Sequence, residues 1–250
     1  MRCFRGARCF RGSFVNPMSH EASRSTIAEN IARVRERLAD ACRRAGRSPD
    51  QVTLIAVSKT KPLDAIAAAA ACGLHDFGEN RVQEALTKIP HAPPQLRWHL
   101  IGHLQSNKAK PAVEHFHLIH TVDSPALAQR LDRLAQERQK TQPVLLQVKL
   151  GDEATKSGVA PTALPALYAA VRALPNLRVC GLMTIPPFCP DPEAVRPYFR
   201  HLRELRDALQ AAFPSDDLPE LSMGMSHDFE VAVEEGATLI RVGTAIFGDR

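Results

Sequence analysis

The sequence predicts an α/β fold, a single (β/α)8 barrel of the TIM type with an extra N-terminal helix. Two observations carry this: eight short apolar runs alternate with seven helical segments, and one more amphipathic segment precedes the first run. In that leading segment Ile27, Ile31, Val34, Leu38 and Cys42 fall at three- and four-residue steps, a helical stripe that ends near Gly46. The first run, Val52–Ser58, is apolar on both alternating faces apart from Thr53, as in a parallel strand covered on both sides, and Pro62 then suits the first turn of a helix. Further strands are expected at Leu74–Gly78, Arg97–Gly102, His117–Val122, Val144–Leu150, Leu177–Thr184, Glu220–Met223 and Thr238–Val242. Helices are expected near 62–72, 80–89, 106–114, 125–139, 161–173, 193–212 and 227–235. Few residues follow the eighth strand, so the segment 25–45 is expected to cover the place of an eighth crossover helix. A doubly wound open sheet is the competing arrangement, because eight parallel strands do not by themselves require closure.

With 250 residues and 44% apolar content the chain can bury one substantial core. No repeat or low-complexity linker divides it, so residues 18–250 are read as one domain. Arg2, Arg5, Arg8 and Arg11 supply four of the five net positive charges, leaving 28 basic against 27 acidic side chains over 18–250. That near-neutral balance argues against a nucleic-acid partner, and no apolar run is long enough to span a membrane. Residues 1–17 repeat Arg-Cys-Phe-Arg-Gly, carry no acidic group, and are expected to be a non-structural extension upstream of Met18; an arginine-rich targeting peptide is the alternative. Pro17 is expected to interrupt any helix there. Cys3, Cys9, Cys42, Cys72, Cys180 and Cys189 show no C-x-x-C pairing and read as reduced thiols, consistent with a cytoplasmic protein.

On a closed barrel the carboxyl ends of the strands share one rim, where α/β barrels place their chemistry. Lys59 follows the first strand, Glu79 and Asn80 the second, His103 the third, Asp123 the fourth, Thr184 the sixth and Ser226 the seventh, while Arg241, Gly243 and Thr244 end the eighth. A lysine held at such a rim can form a Schiff base with an aldehyde, pyridoxal phosphate included; on a βα loop it can equally be a solvated side chain. Ser222-Met223-Gly224-Met225-Ser226 and Arg241-Val242-Gly243-Thr244 fall at the two strands whose loops often hold a phosphate in barrels. Arg241 at a strand end needs a partner, either a carboxylate such as Glu79 or the ring nitrogen of a ligand. His99 and His103 are spaced to share one face of the third strand, pointing inward, but no carboxylate or cysteine completes a metal set and no metal site is expected.

Taken together, Ala56-Val57-Ser58-Lys59-Thr60-Lys61-Pro62, Phe77-Gly78-Glu79-Asn80-Arg81-Val82-Gln83-Glu84, Trp98-His99-Leu100-Ile101-Gly102, Gln105-Ser106-Asn107-Lys108, Gly181-Leu182-Met183-Thr184, Ser222-Met223-Gly224-Met225-Ser226 and Arg241-Val242-Gly243-Thr244-Ala245-Ile246-Phe247-Gly248 resemble the pyridoxal phosphate homeostasis protein family, the YggS/PROSC type. The resemblance spans about residues 25–250 with the motifs in order. It implies a barrel like the N-terminal domain of alanine racemase that binds pyridoxal 5′-phosphate. It further implies Lys59 as the Schiff-base lysine, Ser226, Gly243 and Thr244 as phosphate ligands, Arg241 facing the pyridine nitrogen and Asn80 beside the ring. His227 stands where many relatives carry an acidic or variable residue.

Enzymes that use this cofactor as an electron sink commonly hold its ring nitrogen protonated with an acidic group, which an arginine cannot do. The alanine racemase mechanism also uses a second base, a tyrosine from another domain, whereas Tyr168 and Tyr198 here fall in predicted helices. The resemblance thus implies a protein of cofactor and amino-acid homeostasis without classical turnover, a monomer or weak dimer, with pyridoxal phosphate-dependent apo-enzymes as candidate recipients. A minimal racemase or α-proton exchanger is the alternative, and a barrel aldolase acting on a phosphorylated sugar a third. Whether Lys61 or Lys156 takes a secondary share of the cofactor is left open by the sequence.

Overall fold

The computed structural model describes residues 17–151 and 157–249, with the backbone alone for 17–25. Eight parallel strands, β1 (Thr53–Val57), β2 (Asp76–Glu79), β3 (Arg97–Leu100), β4 (Leu118–Val122), β5 (Gln142–Gln147), β6 (Leu177–Met183), β7 (Glu220–Met225) and β8 (Leu239–Val242), pair in chain order. β8 then closes on β1 through Thr53 opposite Leu239 and Ile55 opposite Arg241. The sheet is therefore a closed barrel, not an open doubly wound one. The crossovers carry α2 (Leu63–Ala71), α3 (Val82–Lys88), α4 (Ala109–His115), α5 (Pro125–Glu137), α6 (Leu164–Arg172), α7 (Arg196–Ala212) and α8 (Phe229–Glu234).

The N-terminal helix α1 (Pro17–Arg44) begins ten residues before the apolar stripe does. Pro17 does not interrupt it: proline has the backbone angle of a helix, and the N–H it lacks would have no intrahelical partner in the first turn. Ile27, Ile31, Val34, Leu38 and Cys42 are all buried. They bring α1 against α2, α8 and the four-residue helix α9 (Thr244–Phe247), so α1 covers the gap that α9 is too short to fill. Asn30 seals the junction, its Nδ2 donating to the Ile246 carbonyl at 2.9 Å.

Apolar side chains divide by strand face, as period-two alternation requires. The larger core lies between sheet and helices, while Ile55, Leu118, Leu145, Cys180, Met183 and Leu239 fill the barrel interior. β7 runs two residues beyond its expected end. Its register against β8 shifts between Ser222 and Met225, and Gly224 sits at φ +90°, so the glycine marks an irregular strand end rather than a free turn. The described cysteines, Cys42, Cys72, Cys180 and Cys189, are free thiols. Among the described residues no helix is long and apolar enough to cross a membrane, and no cluster of three His, Cys, Asp or Glu could hold a metal.

Because Ile31 is almost fully buried under α1, Ile31→Ala is expected to cost about 3 kcal/mol with an unchanged denaturant slope in urea unfolding. A loss below about 1 kcal/mol, the scale of an ordinary surface change, would mean that α1 is peripheral to the barrel core.

Candidate functional site

Lys59 leaves the end of β1 half-buried, and both peptide groups that flank it are held. Lys88, the last residue of α3, is buried and donates its three ammonium protons to the Ser58 carbonyl (2.8 Å), Glu79 Oε1 (2.8 Å) and Glu84 Oε1 (2.6 Å). Ser58 Oγ donates to the same Glu79 oxygen at 2.7 Å, and Glu84 accepts the Thr60 N–H. Thr60 lies at φ +63°, a left-handed conformation costly for a β-branched residue and sustained here by that bond. Burial pushes the Glu79 carboxyl above its ordinary value despite the bonds from Lys88 and Ser58. Burial also opposes ionisation of Glu84, but Lys88 and the Thr60 N–H outweigh it and hold that carboxylate low. Lys61 turns the other way, donating to the carbonyls of Phe247, Gly248 and Asp249.

Opposite Lys59, the loops after β7 and β8 meet. Ser226 Oγ accepts the Gly243 N–H at 3.1 Å and the Ala245 N–H at 3.3 Å, so a hydroxyl and two amides converge at the start of α9. Gly243 packs closely on β1, where a Cβ would sit a tight 3.3 Å from Val57 Cβ. Arg241 rises from β8, 3% exposed, with Nη1 donating to Ser222 Oγ at 2.6 Å and Nη2 to the Thr184 carbonyl at 2.8 Å. Burial lowers its pKa to about 10, opposed by the charge of Asp228, which leaves a guanidinium at neutral pH. Asn80 completes the ring from β2. A Cβ on Gly102 would lie 2.2 Å from the Asn80 carbonyl, so the loop after β3 packs directly on the Asn80 backbone.

Lys59, Asn80, Ser226, Arg241, Gly243 and Thr244 all line one cavity of about 380 Å³. These six are the residues that the family resemblance implies for the cofactor, and they share this one cavity. The remaining wall is Val57, Ile101, Ile185, Met225 and His227, apolar residues plus one rim histidine whose Nε2 donates to the Pro190 carbonyl at 2.9 Å. No aspartate, glutamate or tyrosine is among the described residues lining it. Tyr168 instead donates its hydroxyl to Asp216 at 2.5 Å from α6, and Tyr198 sits on α7.

Three expectations need correction. Arg241 does not pair with Glu79, because the Glu79 carboxylate is committed to Lys88 and Ser58. His99 and His103 do not share an inward face: β3 ends at Leu100, so alternation stops before His103, which is exposed and bonded to Ser157. Glu79, His103, Asp123 and Thr184 sit at strand ends but outside this cavity lining. Sequence reasoning missed Lys88, a lysine on a helix that looks like surface, and Ser222, placed in the seventh strand but given no role of its own. Lys156 lies outside the described residues.

The family model described as alanine racemase, N-terminal domain, matches residues 23–250. A pyridoxal phosphate homeostasis protein of Aquifex aeolicus is 50% identical over 223 residues, 89% of this chain and 97% of its own length. One from Pseudomonas aeruginosa is 51% identical over 227 residues, 90% and 96% of the two chains. The solved structure of PipY from Synechococcus elongatus with PLP bound superposes with a TM-score of 0.79 at 45% identity, covering 89% of this chain and all of that one.

Removing Lys88 leaves the buried Glu79 carboxylate without its counter-ion, so Lys88→Met is expected to cost about 3–5 kcal/mol at pH 8. A carboxyl whose folded pKa is raised favours folding in acid and loses that contribution as pH rises through the folded value. The loss measured by denaturant unfolding should therefore be smaller at pH 5, and an equal loss at both pH values would contradict the assignment.

Proposed function

This chain belongs to the alanine racemase N-terminal domain family and, within it, to the pyridoxal phosphate homeostasis proteins, and from that premise we propose that it binds pyridoxal 5′-phosphate covalently and holds it without turnover. The observation that carries the reading is the single cavity joining Lys59, a turn of amide and hydroxyl groups, and Arg241. Its volume of about 380 Å³ and largely apolar wall suit an aromatic ring with a few polar contacts. The relative with PLP bound, 45% identical, supports the same cofactor here.

In this reading the Lys59 amine condenses with the cofactor aldehyde, forming a carbon–nitrogen double bond and releasing water. Ser226, Gly243 and Thr244 bind the phosphate, in a turn that the Gly243 and Ala245 N–H groups gather onto Ser226 Oγ, where small hydroxyls and close backbone suit an anion. Asn80 lies beside the ring. Arg241 can only donate, so it favours a ring nitrogen that accepts and carries no proton. When bound, the cofactor supplies an electron sink whose strength depends on protonation of that nitrogen. With no carboxylate among the described lining residues to hold the proton there, the site retains the cofactor better than it uses it. The role that follows is buffering of pyridoxal phosphate in the cytoplasm and its delivery to apo-enzymes that require it.

Borohydride reduction of the loaded protein, followed by peptide mass spectrometry, is expected to find the modification on Lys59. Lys59→Ala should lose it, whereas Lys61→Ala, whose amine is engaged with backbone carbonyls, should keep it. A modification that persists on another lysine in Lys59→Ala would overturn the assignment.

A further inference from the structure

A line of hydrogen bonds runs through the barrel interior to Arg241, beginning near the amino ends of the strands. Arg97 grips Asp76 with two bonds, Nε to Oδ1 at 2.7 Å and Nη2 to Oδ2 at 2.6 Å. His99 Nε2 lies 2.9 Å from Asp76 Oδ1, and His99 Nδ1 lies 3.0 Å from His120 Nε2. His120 Nδ1 is 2.9 Å from Ser222 Oγ, the atom that receives Arg241 Nη1 at 2.6 Å. Asp76, His99, His120, Ser222 and Arg241 are all buried.

The two ends fix the direction of this line. An ionised Asp76 can only accept, and Arg241 can only donate. One placement of protons satisfies every bond between them with neutral imidazoles: Nε2–H of His99 to Asp76, Nε2–H of His120 to His99, the Ser222 hydroxyl to His120, and Arg241 to the Ser222 oxygen. Turning His120 to its other tautomer would aim two donors at Ser222 Oγ and leave that hydroxyl proton without an acceptor among its described bonds. Desolvation above all, with the nearby Arg241 charge, keeps the His120 pKa well below its ordinary value. Burial opposes the Asp76 charge, but His99 and Arg97 outweigh it and bring its pKa to about 2.

We propose that Asp76, His99, His120 and Ser222 form a one-way relay of positioning residues that aims the Arg241 guanidinium at the ring of the bound cofactor, an inference that rests on the cofactor reading above. The relay couples a carboxylate at one end of the barrel to the cation at the other. It does so through proton placement alone, with no movement of backbone.

Long-range proton–nitrogen correlation spectra of the histidines in cofactor-free wild-type protein at pH 7 test the relay directly. His99 and His120 should both carry their proton on Nε2 with a bare Nδ1; an Nδ1–H or doubly protonated ring at either position overturns the proposal. Titration with pyridoxal phosphate supplies the second arm. His120→Leu, which leaves Ser222 without its acceptor, should bind about tenfold more weakly, the worth of one charge-assisted hydrogen bond, and should shift the absorption band of the adduct. His120→Asn, whose amide oxygen falls near the Nδ1 position, should restore most of both. Wild-type affinity and an unmoved band in His120→Leu would overturn the proposal. A wild type that fails to bind pyridoxal phosphate at all defeats the cofactor reading and the use proposed for the relay, while the tautomers still decide the proton arrangement.

Discussion

The site depends on one buried cation, Lys88. Its ammonium binds the Ser58 carbonyl directly and, through Glu84, the Thr60 N–H, and these are the two peptide groups on either side of Lys59. Lys59 is thus presented by a backbone that one ion-pair cluster fixes from both directions. Burying a charged pair contributes little net stability relative to apolar packing, and its loss by removal of one partner is costly. The cluster sustains Thr60 in a left-handed conformation and so determines where the Lys59 side chain starts. Stability and position are here the same requirement.

Across the cavity a second constraint acts on the other functional cation. Arg241 is anchored by Ser222 and by the Thr184 carbonyl, inside a barrel whose interior holds both aliphatic side chains and a buried polar line. Burial lowers its pKa yet leaves it charged at neutral pH, and no carboxylate among the described residues forms an ion pair with it. The cavity therefore has an amine at one side, the Ser226, Gly243 and Thr244 turn at another and a donor-only cation in its wall. That set suits retention of a phosphorylated aromatic aldehyde. The groups able to move a proton in it are Lys59 and His227, and the latter stands at the rim, bonded to the Pro190 carbonyl.

Much of this was legible in the sequence because the signals are local. The apolar runs of the eight strands, the stripe from Ile27 to Cys42, and the residues at strand ends each depend on a few neighbours in the chain, and the closed barrel brings Lys59, Asn80, Ser226, Arg241, Gly243 and Thr244 to one cavity. What was not legible depends on pairing between distant elements. Glu79 looked like a partner for Arg241, but which carboxylate meets which cation is decided by the course of α3, which carries Lys88 inward. His103 looked equivalent to His99 until the strand was seen to end at Leu100. Ser222 falls within the expected seventh strand, but its bond to Arg241 depends on how β7 pairs with β8, where the register shifts between Ser222 and Met225.

The central claim is that this cavity holds its cofactor and does not turn it over. The direct measurement is deuterium exchange at the α-carbon of a panel of amino acids, with the loaded protein in deuterated water and free pyridoxal phosphate at the same concentration as reference. The account expects no exchange beyond that of the free cofactor. Many exchange events per protein molecule, abolished in Lys59→Ala, would contradict it.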